Sequence, residues 1–181
     1  MALTTVRGSG FDVSAIPSGG IIQTQYTQFT GTSAPSVPAN TQTILTDLTV
    51  NITPNFTNSI IHLKVHMFLE FGVDTSNMWN HTFFLLRDST KLAHAVAGNR
   101  NVGISMATRT YHAGDSGSTP EICSFEYFDS PSTTSQITYK VAVFTGNSES
   151  DTIYLNKTVN DTNATTNERG ISSIIAQEIA G

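Results

Sequence analysis

In Ile61-His62-Leu63-Lys64-Val65-His66-Met67-Phe68-Leu69-Glu70-Phe71 every second residue from Ile61 is apolar, while His62, Lys64, His66 and Glu70 fall between them. Side chains of an extended chain alternate between two faces, so this spacing predicts a strand with one buried face. Only Phe68 breaks the alternation. This run extends over 59 to 71, and comparable runs recur at 21 to 29, 43 to 52, 81 to 88, 91 to 96, 102 to 111, 121 to 128, 136 to 144, 152 to 159 and 171 to 179. Ser, Thr, Asn, Asp, Gly and Pro separate them, which is the chemistry turns require. With no helical periodicity and several long connections, the expected fold is all-β, a two-sheet antiparallel sandwich of jelly-roll type.

The chain has 181 residues, enough for one β domain. Residues 1 to 20 carry isolated apolar positions among glycines, so they are expected to form an extended N-terminal arm, with a single head over 21 to 181. Within the arm, Phe11, Val13 and Ile16 are the candidate anchors onto a partner; a disordered tail is the bland alternative. Charged residues make up 13% of the chain against roughly 25% in an average soluble protein. The net charge is −5 and the basic residues are scattered, so nucleic acid is not an expected partner. Neither a secretory signal nor a run of about 20 apolar residues is visible, and membrane insertion is not expected. Synthesis in a cytoplasm is the corresponding expectation. The single cysteine, Cys123, lies between Ile122 and Phe125 and reads as a small buried filler.

Chemistry-bearing patterns are weak. His62 and His66 stand four apart on one strand, about 13 Å at 3.3 Å per residue, too far for one metal. They read as part of a solvated or cross-strand polar face. His81, His94 and His112 lie on separate runs without nearby ligand spacing. Glu70, Asp74, Asp88, Glu121, Glu126 and Asp129 mostly sit at strand ends or turns, where solvation accounts for them. Asp115-Ser116-Gly117-Ser118 and Asp161-Thr162-Asn163 read as turns rather than calcium loops. No nucleophile elbow or phosphate loop occurs. Accordingly, no enzyme activity, no catalytic residue, no metal and no cofactor are expected. Phe29, Phe83, Phe125, Tyr127, Tyr139 and Phe144 read as core or interface fillers. Trp79 is the exception, after a polar segment, where it closes either the end of the sandwich or a pocket.

The segments Gly20-Ile21-Ile22-Gln23-Thr24-Gln25-Tyr26, Leu45-Thr46-Asp47-Leu48-Thr49-Val50-Asn51-Ile52-Thr53-Pro54, Phe84-Leu85-Leu86-Arg87-Asp88-Ser89-Thr90 and Phe128-Asp129-Ser130-Pro131 resemble small tail-fibre or virion structural proteins of bacteriophages, notably marine and cyanobacterial ones. The resemblance implies a compact jelly-roll head similar in outline to tumour-necrosis-factor and complement-like heads, with a tendency to form homotrimers. It also implies a place in the virion, with self and other tail or capsid proteins as partners. Lacking a repeat shaft, the chain is expected to be a head tethered directly by its arm. An alternative expectation is an adhesin for host surface polysaccharide, with Trp79, Asn77, Asn80 and Tyr111 facing the glycan. A secreted cytokine-like ligand would account for the Asn-x-Thr sequences but is opposed by the missing signal.

Overall fold

The structure is a computed structural model describing residues 12–72, 81–106, 117–146 and 150–181. Its strands are β1 (Ile21–Phe29), β2 (Ser36–Val37), β3 (Gln42–Ile52), β4 (Ile60–Phe71), β5 (His81–Arg87), β6 (Thr90–Leu92), β7 (Ser105–Met106), β8 (Glu121–Asp129), β9 (Ile137–Thr145), β10 (Asp151–Leu155) and β11 (Ser172–Ile179). Among the described residues there is no α-helix, only a turn of 3-10 helix at Val13–Ala15. In the first sheet β4 is the axis: one edge pairs with β8, the other with β11 and then β10, and β1 and β2 lie outside these. The second sheet runs β3-β9-β5-β6, with β7 also on β5. All pairings are antiparallel. Between β3 and β11 the chain changes sheet at most connections, and the principal strands fall in the orders 1-11-4-8 and 3-9-5-6. That is the winding of a jelly-roll sandwich.

Strand parity builds the core. Ile61, Leu63, Val65, Met67, Leu69 and Phe71 all point inward from β4. They meet Phe83 and Leu85 of β5, Tyr139, Val141 and Val143 of β9, and Ile174 and Ala176 of β11 in one cluster. Each large aliphatic or Phe side chain so buried stabilises the fold by about 1.5–3 kcal/mol relative to exposure. Phe68 has the opposite parity yet is half-buried. The segment after β10 folds over it: Asn156 N–H donates to Phe68 O (2.9 Å) and Gly170 lies directly on the Phe68 ring, where a Cβ would collide. Asn156 holds this crossover with φ +61°, a left-handed conformation that Asn tolerates better than most residues. Its amide donates to Phe29 O and Gly31 O and accepts from the Ser172 hydroxyl. Asn156 and Thr158 are fully buried, so that Asn-x-Thr sequence is a structural feature.

Several acids depart from the solvated placement expected of them. Glu70 and Asp129 are buried, as is Glu178, which the sequence reading passed over. Glu178 accepts four hydrogen bonds, from Gln23 Nε2, Asn55 N, Asn55 Nδ2 and Ser59 Oγ, at 2.6–2.7 Å. Burial pushes its carboxyl up, but the donors at Ser59, Gln23 and Asn55 outweigh that and hold it below the usual glutamate value. It thereby staples β1 and the β3–β4 connection to β11. Glu70 ties down the segments before β8 and after β10 by accepting from Thr119 N (2.9 Å) and Val159 N (2.8 Å). Asp129 joins the two sheets, receiving Arg87 Nη1 (2.9 and 3.1 Å) and the Tyr139 hydroxyl (2.6 Å). Burial and that carboxylate push the Tyr139 phenol far above its ordinary range. A polar group this deep must be hydrogen-bonded, and all three acids are.

Candidate interaction face

The outward positions of β4 meet those of its neighbours in register. One row reads Tyr26 (β1), Ile175 (β11), Lys64 (β4), Glu126 (β8). The rows beside it read Thr24, Gln177, His62, Phe128 and Gln28, Ser173, His66, Ser124. The expected polar face of His62, Lys64 and His66 therefore exists, but it is mixed with large apolar groups. Tyr26 is 70% exposed, Ile122 65% and Phe128 58%.

Specific contacts order the β4–β8 half. The His62 and Phe128 rings stack at 4.1 Å between centroids, inclined by 11°. His62 Nε2 lies 2.9 Å from Glu126 Oε2, and His66 Nδ1 lies 3.0 Å from Ser124 Oγ. Lys64 is exposed and has no ion-pair partner among the described residues. Between these groups the small Ser124 leaves a shallow depression of about 360 Å³ bordered by Lys64, Val65, Phe125 and Glu126. Exposed pairs of this kind add little to stability. What they do is hold Phe128 and Glu126 in defined positions on an open surface.

Of the anchors expected in the arm, Val13 and Ile16 are half-buried. With Phe56, Asn58, Ala180 and Gly181 they line a cavity of about 150 Å³. The arm base reaches this spot because Gly19 N–H donates to Ala180 O (2.8 Å) and Ala180 N–H to Gly20 O (2.9 Å). Asp12 caps the short turn by accepting from Ser14 N (2.9 Å) and Ser14 Oγ (2.6 Å), which holds its carboxyl below the usual aspartate value. Phe11 and the proposed glycan-facing Asn77, Trp79, Asn80 and Tyr111 lie outside the described residues, as does His112.

Of the remaining histidines the described residues include His81 and His94. His81 is fully buried against Phe71, with ring centroids 4.6 Å apart, and its Nε2 lies 3.2 Å from Asp151 Oδ2. His94 is exposed and bonds the Ala95 carbonyl (2.7 Å). Among the described residues no group of three His, Cys, Asp or Glu side chains is arranged to hold a metal ion. Asp161, from the second candidate calcium turn, is paired with Arg169 (2.6 Å) and Lys157 (3.7 Å). Cys123 is buried as expected of a filler; burial pushes its thiol up, away from reactivity.

Sequence reasoning named all four of the face's columns, β1, β4, β8 and β11, as strands but did not bring Tyr26, Ile175 and Phe128 together. Strand parity was the available signal; the pairing partners were not. Comparison of the chain with protein-family models and with curated proteins finds no match.

Proposed function

We propose that this chain is a non-enzymatic structural module of a bacteriophage particle, a homotrimeric β-sandwich head tethered to tail or capsid by its N-terminal residues. The carrying observation is the outer face of the first sheet, four strands wide, on which Tyr26, Ile122 and Phe128 stand exposed around Lys64 and Glu126. Exposed apolar groups gathered on a flat, patterned face mark an association surface. The occupant we assign is a second copy of the chain. Lys64 and Glu126 offer both charge signs to a neighbouring copy, and a β sheet covered by its own copies is also protected from indiscriminate pairing.

Virion placement is supported by the resemblance of the Gly20–Tyr26, Leu45–Pro54, Phe84–Thr90 and Phe128–Pro131 segments to phage structural proteins. The tether reading is supported by residues 13 to 20, which pack beside Ala180 and Gly181. Sedimentation equilibrium of the full chain tests the assembly: a mass of three copies is expected, and a single copy throughout the micromolar range removes the reading. Deleting residues 1 to 18 should leave the oligomer folded but absent from particles.

A further inference from the structure

Among the described residues β8 pairs with β4 alone, so the other side of this nine-residue strand is a sheet edge. Register tells which groups the edge presents. The Phe68 N–H donates to Ser172 Oγ (3.0 Å) and the Phe68 carbonyl accepts from Asn156 N–H (2.9 Å), both on the β10–β11 side of β4. Main-chain groups of successive strand residues turn to opposite sides, so the odd positions of β4 turn toward β8. They pair there with odd positions, Val65 with Phe125 for example. The main-chain N–H and C=O of Ile122, Ser124, Glu126 and Phe128 therefore point off the edge, and none has a hydrogen-bond partner among the described residues. We infer that β8 of a second copy pairs with this edge antiparallel, about a two-fold axis normal to the sheet, and joins two first sheets side by side.

The edge is complementary to its own antiparallel copy. With the two Phe125 residues opposite each other at the axis, Ile122 stands opposite Phe128 of the other copy and Ser124 opposite its Glu126, and every free N–H meets a free C=O. Ile122 and Phe128, 65% and 58% exposed, then form pairs of a β-branched and an aromatic side chain, a combination that stabilises sheets. The Ser124 hydroxyl has a carboxylate to donate to. Sliding the copy by two residues loses this fit: one direction sets Glu126 against Glu126, and the other sets Phe128 against Pro120, which has no N–H to give. Devices that keep edges apart are missing from β8, which contains no Pro, no Lys and no bulge, its register with β4 running unshifted from Glu121 to Asp129. Edge strand β1, by contrast, is tied to the second sheet, with Thr27 Oγ1 donating to Thr49 O (2.6 Å) and Gln23 Nε2 to Thr53 O (2.7 Å). Pairing at β8 lies in the plane of the sheet and leaves both outer faces pointing the same way. It is therefore independent of the three-fold reading above and doubles whatever unit that reading yields.

Introduced cysteines test the register. Residues directly opposite in a hydrogen-bonded antiparallel pair have Cα atoms about 5.5 Å apart, within disulfide reach, whereas diagonal neighbours stand about 7–8 Å apart. Full-length Ser124→Cys mixed with full-length Glu126→Cys should form an intermolecular bridge between these two positions, identified by peptide mapping, at least tenfold faster than either variant bridges alone. A mixture no faster than its components overturns the pairing. Sedimentation equilibrium of the wild type supplies the second arm: its mass should double between micromolar and millimolar protein, from three copies to six where the trimer reading holds and from one to two where it fails. A mass that stays at three copies overturns the β8 contact and leaves the trimer. Ser124→Pro should abolish the doubling, because it deletes an N–H that the chain itself does not use. Ile122→Lys, which puts a charge opposite Phe128, should do the same and replaces the proline variant where that one departs from wild-type circular dichroism; doubling that persists in a folded variant overturns the contact.

Discussion

The two outer faces of the sandwich carry apolar residues of similar size and treat them in opposite ways. On the second sheet Phe84, Leu86 and Ala142 point away from the main core, yet they are 1%, 2% and 0% exposed. Ile44, Ala93, Ile104 and Phe144 pack on them, and Lys91 Nζ stands 4.0 Å over the Phe84 ring, its charge disfavoured by burial. The connection from β6 to β7 supplies two of these covers. It comes so close that a Cβ on Gly103 would stand 2.7 Å from Phe83 O, and Ile104 N–H donates to that same oxygen. On the first sheet, among the described residues, only the Phe68 end is covered by the chain itself, and Tyr26 and Phe128 stay open. A face closed by its own chain is part of folding; one left open is available to association.

This contrast can be broken by mutation. Phe84→Ala, on the closed face, should cost about 3–5 kcal/mol, the range for emptying a buried aromatic site. Urea unfolding measures it, and a loss below about 1 kcal/mol would mean that the second face is not a true core.

A smaller loss, about 2–3 kcal/mol, is expected for Glu178→Gln, because an amide presents its own donors to the donors of Asn55, Ser59 and Gln23. This variant also sharpens the pH profile. Folding holds Glu178 below its usual value of 4.5, so on acidification the unfolded chain takes up the proton first. Stability is then fully present above the unfolded value and declines as pH falls through the folded one. Unfolding midpoints from pH 7 to pH 3 should show a steeper acid loss in the wild type than in Glu178→Gln; parallel profiles would remove Glu178 from that role.

The smallest effect belongs to the open face. Phe128→Ala in dilute, dissociated protein should change stability by no more than about 0.5 kcal/mol, as surface substitutions do. A loss comparable with that of Phe84→Ala would mean that Phe128 serves folding rather than association.

Much of this organisation was legible in the chain. The run at 21 to 29 is β1 itself, and those at 43 to 52, 59 to 71 and 136 to 144 match β3, β4 and β9 to within a residue at either end. β2 escaped notice because Ser36–Val37 lies between Pro35 and Pro38, which read as loop. Glu178 was legible in principle: it shares the inward parity of Ile174 and Ala176, and a carboxylate in a buried register calls for donors. Which donors would come was not legible, since Asn55 and Ser59 are more than a hundred residues away.

Alternation along each strand determined by itself which side chains share a face, because the two-residue period is a property of the local backbone. Only the tertiary structure decided that β8, β4, β11 and β1 stand side by side and so placed Tyr26 in one row with Lys64 and Glu126. Cross-strand neighbours are set by long-range register, which the burial of all the inward faces selects together. The same global packing roofed the second sheet and, among the described residues, left the first open around Tyr26 and Phe128.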